Sequence, residues 1–433
     1  MTPLVYALGV VLFALGVLAS IALHELGHLL PAKKFNVKVS QYFVGFGKTL
    51  WSTKRGETEY GIKMIPLGGY VRLVGMLPPG KDQEPGTVRP STTGMFRALV
   101  DNARAAEYQH IQPEDEPRLF YRKKWWQKLI IMSGGPLVNV ALAVLILGGV
   151  FMGIGVNTPK LVVAGVSDCV IPASRAAAVC KPGDPEAPAK AAGLRDGDRL
   201  VSFNGVRLDS WDQLTGLIRD NAGGRAVIRY ERNGTVTTTT TNTAVSQRMS
   251  LDDPRDFVEA GFLGVSPVQV LERQGPGYVA ATMWDYTVRT GESLLHLPEK
   301  MVGVFQAAFG GEERDQLGPV SVVGASRIAG ELAATQEISV TERAATILGL
   351  LGVVNLFVAL FNFIPLLPLD GGHIAGALYE AVRRGFARLR GRPDPGYVDV
   401  AKLLPVAYVA AVVITAMGAL LVYADIVNPV TLG

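Results

Sequence analysis

His24, Glu25 and His28 stand together as HELGH in the stretch "ASIALHELGHLLPA". On a helix, residues i and i+4 share a face, so both imidazoles can take neighbouring corners of a tetrahedral zinc site. Glu25 sits beside them, able to take a proton from a zinc-bound water. A hydrolytic zinc keeps three protein ligands and one open position, so a third ligand is required. Asp82 and Glu114 are available in a polar, proline-rich segment. Asp370, in "NLFVALFNFIPLLPLDGGH", is the better candidate because it ends an apolar run broken by Pro365 and Pro368. Gly371 and Gly372 permit close backbone approach there. His110, His296 and His373 lack ligand spacing and are read as non-ligands.

The elements that must position these groups are apolar. Of 433 residues, 48% are hydrophobic and only 18% charged, and the mean hydropathy is positive. This balance favours a membrane protein with a soluble insert over two or three soluble domains. Uncharged runs cover Pro3–Leu23, Leu129–Val156, Ala344–Leu369 and Leu403–Ala424, each near or above the roughly 20 residues that cross a bilayer. Four spans are expected. The first lacks both a basic leader and a small-x-small cleavage site, so it is not read as a cleaved signal peptide. Ionisable groups at such depth are costly and mark function.

Basic residues set the orientation. Lys33, Lys34, Lys38, Lys48, Lys54, Arg55, Arg122, Lys123 and Lys124 lie between spans one and two; Arg383, Arg384, Arg388, Arg390 and Arg392 lie between spans three and four. Both segments are expected to be cytoplasmic, with both termini and Asn157–Arg343 outside. The net charge of +4 is explained by this topology and gives no case for nucleic-acid binding.

The organisation read from the chain is a first transmembrane helix with HELGH (1–36), a membrane-associated β loop (37–75), a cytoplasmic insertion (76–127) and a second transmembrane helix (128–156). There follow an extracytoplasmic PDZ-like domain (157–245), an extracytoplasmic amphipathic helical region (246–343) expected along the outer membrane surface, a third transmembrane helix with LDG (344–372), a cytoplasmic link (373–402) and a fourth transmembrane helix (403–427). The β loop is expected because "VKVSQYFVGFGKTLWSTKRGETEYGIKMIPLGGYVRLVG" alternates apolar and polar residues around a turn. It can enter the bilayer only where protein covers its backbone. Cys169 and Cys180 share the external region, where a disulfide is permitted; a bonded pair and two free thiols both stay open.

Within "AAGLRDGDRLVSFNGVRLDSWDQLTGLIRDNAGGRAVIRYERNGTVTTTT", the pieces "GLRDGD" and "FNG" resemble a circularly permuted PDZ domain, a module that binds extended peptides or C-termini at a sheet edge. HELGH at the end of the first span, "PLGGYV" in the following loop, "GGPLVN" opening the second span, this external insert and N-x-x-P…LDG at the third together resemble the site-2 protease family of intramembrane zinc metalloproteases, in its bacterial RseP-like branch. The resemblance implies one zinc ion per chain held by His24, His28 and Asp370, with Glu25 as catalytic base. Asn362, Pro365, Asn139, Gly68 and Gly69 become candidates for substrate binding or for holding the oxyanion. It implies a polytopic α-helical protein of the bacterial cytoplasmic membrane with four transmembrane helices, a cytoplasmic-side β-hairpin region and an inserted extracytoplasmic PDZ-like α+β domain. Its active site would lie near the cytoplasmic face.

The implied substrates are single-pass transmembrane proteins, foremost an anti-sigma factor already trimmed outside by an upstream site-1 protease. Two departures stand out: one PDZ-like unit where the best-known bacterial members have two, and P-L-L-P where they have P-x-P. Clearance of remnant signal peptides is a rival within enzymes, and a non-catalytic PDZ membrane scaffold is a rival outside them. A structural zinc site has no need of Glu25. A metal transporter would need further acids or histidines along a path through spans two and four, and the uncharged runs Leu129–Val156 and Leu403–Ala424 have none.

Overall fold

The computed structural model describes residues 3–79, 95–108, 111–172, 175, 179–250, 257–311, 314–315, 318–336 and 338–430. Asp82 and His110 lie outside these residues. Two compact units are present: one comprises 1–153 and 275–433, the other 154–274.

The first unit opens with α1 (Pro3–Lys34), which ends where Asn36 takes a left-handed conformation (φ 54°) and Val37 N–H donates to Ala32 O at 2.8 Å. A hairpin follows, formed by β1 (Val39–Arg55) and β2 (Thr58–Leu73). Gln41–Val44 pair with Gly69–Arg72 on one side and with Glu59–Ile62 on the other, while Thr49–Arg55 pair with the start of β2. Two long strands therefore fold over into four sheet segments, with Gly69–Leu73 at an edge. Gly45 and Gly47, both at positive φ, allow the bend in β1. The distal part exposes Phe46, Leu50, Trp51, Ile62, Met64 and Ile65.

The insertion contributes α2 (Met95–Tyr108). Glu107 accepts from the N–H groups of Gly75 and Met76 at 2.8 and 3.0 Å, and Arg104 grips both oxygens of Asp399 at 2.8 and 2.7 Å. Next comes α3 (Trp125–Gly148), whose last residues run into a π-helical turn through Ile154. The unit resumes after residue 274 with α6 (Pro276–Leu295), α7 (Leu297–Phe309), α8 (Val322–Ala334), α9 (Val340–Asn362), α10 (Asp370–Leu389) and α11 (Leu404–Val427). Among the described residues four helical stretches are long and apolar enough to cross a membrane: Pro3–Lys34, Trp125–Ile154, Val340–Asn362 and Val400–Val427. Their outward faces carry exposed Leu4, Leu12, Leu137, Leu145, Val409 and Val412, a surface suited to lipid and not to water. Small residues let α8 lie close on α1: a Cβ on Gly9 would come within 2.6 Å of Ala333 Cβ. Arg314 pairs with Asp425 at 2.9 Å, both buried.

The second unit contains β3 (Val156–Val166), α4 (Pro188–Ala191), β4 (Arg199–Phe203), β5 (Val206–Arg207), α5 (Trp211–Asp220), β6 (Arg225–Arg232), β7 (Thr235–Asn242), β8 (Ala244–Met249), β9 (Phe257–Phe262) and β10 (Val265–Glu272). The main sheet runs β10-β3-β4-β6-β7 with β5 beside β4, and β8 pairs with β9. Its core gathers Leu200, Phe203, Leu214, Ile218, Ile228 and Leu263. A disulfide joins Cys169 and Cys180.

Three expected boundaries differ. The third apolar helix was expected to run through Asp370, but α9 stops at Asn362 and Asp370 begins α10. Pro365 cannot donate to the helix ladder and pushes its predecessor toward extended backbone. The expected link 373–402 accordingly holds most of α10. The expected helical region 246–343 begins with strands: β10 pairs back onto β3, so the β-rich unit extends to Glu272. That pairing joins residues about a hundred positions apart and leaves no local signature.

Candidate metal centre

α1 and α3 meet at glycines. A Cβ on Gly27 or on Gly134 would run into the carbonyl of the other, so this crossing exists only because both side chains are absent. The same approach lays Gly135 directly on the histidines. A Cβ there would overlap His28 Nε2 and lie 2.8 Å from His24 Nε2. The cradle around the two rings is thus shaped by a missing methyl group.

His28 Nδ1 lies 2.8 Å from the carbonyl oxygen of Ile131 on α3. A carbonyl can only accept, so the proton belongs on Nδ1 and the lone pair of Nε2 faces inward. There it meets His24 Nε2 at 3.3 Å, and Asp370 Oδ2 lies 3.3 Å from each of the two nitrogens. Asp370 Oδ2 is buried and makes no hydrogen bond. Three electron-rich atoms in an equilateral triangle repel unless a cation joins them. Zinc bonded at about 2.05 Å with tetrahedral angles separates its ligands by about 3.3 Å, the edge found here. Among the described residues His24, His28 and Asp370 are the one group so arranged. Asp370 is also the first residue of α10, where helix N–H groups favour a carboxylate.

Glu25 projects toward the hairpin. A Cβ on Gly69 would lie 2.9 Å from Glu25 Cγ, and the Val71 N–H faces the carboxylate. Tyr42 donates its hydroxyl to Ala22 O at 2.7 Å, which seats β1 against α1. The sheet edge Gly69–Leu73 therefore runs beside the acid.

The other candidates are placed as follows. Gly68, at φ 107°, lies under Phe46. Asn139, on α3 one turn beyond Gly135, is 1% exposed and its Oδ1 has no partner. Asn362 donates to Val358 O of its own helix at 3.1 Å. Pro365 sits in the turn between α9 and α10. Glu114 belongs to a short 3-10 helix and His296 pairs with Glu299; neither joins the cluster, and nor does the half-buried His373. The Ile131 carbonyl and the Ser20–Asn355 hydrogen bond at 3.0 Å had no sequence signal. Gly135 stood within "GGPLVN" with nothing to mark its contact with the histidines.

A His-Glu-x-x-His helix completed by a carboxylate from another helix, set among spanning segments, defines a membrane-embedded metallohydrolase. The chain belongs to Peptidase family M50, whose model matches residues 12–404. It is 32% identical to the zinc metalloprotease Rip1 of Mycobacterium tuberculosis over 443 residues, covering 99% of this chain and 100% of the relative. Against Rip1 of Mycolicibacterium smegmatis it is 34% identical with the same coverage. Against the zinc metalloprotease RasP of Geobacillus kaustophilus it is 26% identical, covering 84% of this chain and 87% of the relative. This chain is a membrane zinc metalloprotease of the site-2 protease type.

Proposed function

We propose that the enzyme cuts single-pass membrane proteins within or beside their transmembrane segment, with His24, His28 and Asp370 holding zinc and Glu25 moving the proton. The observation that carries this reading is the 3.3 Å triangle of Nε2, Nε2 and Oδ2 with Glu25 adjacent. Zinc, when bound, acidifies water and polarises the scissile carbonyl. Glu25 takes the water proton and delivers it to the leaving amine nitrogen. A helical substrate has its amides occupied, so it must unwind before attack. The edge Gly69–Leu73 offers the unwound segment backbone partners next to Glu25, and the Asn139 amide is available to the substrate backbone or the oxyanion.

The basic residues of the first and third connections support a site near the cytoplasmic face of a bacterial cytoplasmic membrane, with both termini and the β-rich unit outside. The exposed apolar end of the hairpin supports its entry into lipid, and Trp284, Leu295 and Phe305 on α6 and α7 support a seat on the outer surface. The β-rich unit has a cavity of about 140 Å³ lined by Trp211, Ile218, Leu263 and Val265, with Arg248 at its side, which supports the PDZ-like, peptide-binding reading. An anti-sigma factor, first cut outside by a site-1 protease, is the substrate implied by the resemblance.

The test pairs Glu25→Gln with tagged single-pass proteins, anti-sigma factors and signal-peptide remnants among them, in cells lacking the native enzyme. Wild type should release a cytoplasmic fragment and Glu25→Gln should not. Release by Glu25→Gln ends the proposal. Purified Asp370→Ala should lose its zinc; unchanged zinc content removes Asp370 as a ligand.

A further inference from the structure

Two of the three zinc-facing atoms come from one helix, and the third comes from elsewhere. His24 and His28 are fixed together on α1, and α1 is fixed to α3 by the Gly27–Gly134 crossing and the His28–Ile131 hydrogen bond. Asp370 stands at the tip of α10, beyond a turn of seven residues carrying two prolines. Its position therefore depends on how α10 is seated.

The near end of α10 is seated by shape. Cβ atoms on Gly371 and Gly372 would run into the backbone of Ile364 and Leu367. The far end is seated by charge. Lys128 Nζ, from the first turn of α3, lies 2.7 Å from Glu380 Oε2, with the two side chains 8% and 2% exposed. Arg384, one turn on, approaches Glu380 Oε1 at 3.1 Å and reaches Asp394 at 3.4 Å. Asp370, His373, Ala377, Glu380 and Arg384 recur at three- or four-residue spacing, a single face of the helix. His373, Ala377, Lys128 and Glu380 line one small cavity between α10 and its neighbours.

A buried lysine–glutamate pair is weak evidence for stability, because desolvation offsets most of the attraction and apolar replacements are often neutral. It is strong at selecting one register, since a shift of α10 along or about its axis breaks the pair and leaves the buried Lys128 facing no carboxylate, while Glu380 keeps only Arg384 of its own helix. Zinc demands that selectivity. Ten residues separate Asp370 from Glu380, about 15 Å of helix. Rotating α10 by roughly 10° swings a side-chain tip, at a radius of about 5–6 Å, through about 1 Å. Zinc–ligand distances tolerate about 0.2 Å.

We propose that the Lys128–Glu380 pair is a positioning lock for the third zinc ligand: it fixes the register of α10 on α3 and so holds Asp370 within reach of a metal bound by His24 and His28. This inference rests on Asp370 being a ligand.

The test uses the purified full-length protein in detergent and two readouts: zinc affinity by chelator competition, and thermal unfolding of the metal-free protein. Lys128→Arg keeps the charge and should bind zinc within about threefold of wild type. Lys128→Met leaves the buried Glu380 with only Arg384 of its own helix, and should weaken zinc binding by about 10- to 100-fold, the usual effect of losing support behind a ligand. That variant can also lose stability, so the double variant Lys128→Met/Glu380→Leu decides the matter. It leaves neither of the two charges unpaired, so the metal-free protein should unfold within a few degrees of wild type while zinc affinity still falls at least tenfold. Wild-type zinc affinity in a folded double variant overturns the lock. Zinc retention by Asp370→Ala overturns the ligand assignment instead, so the two failures are distinguishable.

Discussion

Gly135→Ala adds one methyl group to α3 at the point where the helix touches both histidine rings. The new Cβ would overlap His28 Nε2 and stand 2.8 Å from His24 Nε2, against 3.4 Å at the lower end of ordinary contact. To regain ordinary contact the His24 ring must therefore retreat by about 0.6 Å, and the His28 ring by more. Helix α3 cannot yield instead, because Gly27 and Gly134 are already in backbone contact one residue away. A displacement of 0.6 Å is about three times the latitude of a zinc bond, so at least one imidazole leaves the coordination sphere. Zinc affinity should fall at least 100-fold, about 2.7 kcal/mol. Overpacking should separately cost the metal-free fold about 1–3 kcal/mol. The assay is chelator competition on purified protein, with Gly418→Ala as the control because its added Cβ meets nothing within 4 Å. If Gly135→Ala binds zinc within threefold of wild type, the cradle argument is refuted.

Replacing Cys169 and Cys180 by serine opens a loop with a sequence separation of 11 and should destabilise the β-rich unit by about 2–3 kcal/mol in the chain-entropy estimate, read as earlier thermal unfolding of the full chain. Just past Cys180, the Asp184 carboxyl is held at about 2 by the Arg175 guanidinium and the Lys181 N–H. A lowered carboxylate pKa contributes stability that is present above the ordinary aspartate range and lost as pH falls through about 2. NMR titration should find Asp184 ionised at pH 3, and Arg175→Ala should raise its midpoint toward the ordinary range near 4, with the Lys181 N–H still in place; an unchanged midpoint would contradict the pairing. Trp51, 58% exposed on the hairpin, should be quenched by brominated acyl chains in reconstituted vesicles. The quenching lost in Trp51→Phe isolates that signal, and no loss places the hairpin out of lipid.

His24 and His28 were legible because helical periodicity alone puts i and i+4 on one face, and Asp370 because a lone carboxylate ended an apolar run broken by prolines. The four spanning runs were legible from composition. What escaped was the part of the structure decided by partners far apart in sequence. The prolines announced a break after Asn362, yet nothing local said that the chain would restart as a helix at Asp370 itself. β10 looks like any short alternating segment until β3 receives it. The orienting partner of His28 is a main-chain carbonyl, a group every residue carries, so no residue type could have announced it.

The insertion helix α2 has a mechanical meaning of its own. Its Glu107 holds the end of the hairpin at Gly75 and Met76, and its Arg104 holds Asp399 just ahead of α11. The two contacts are three residues apart on one rigid rod, so the end of the sheet and the foot of the last spanning helix behave as the two leaves of a binding with a common spine. While that spine is intact the two are tied together at this margin.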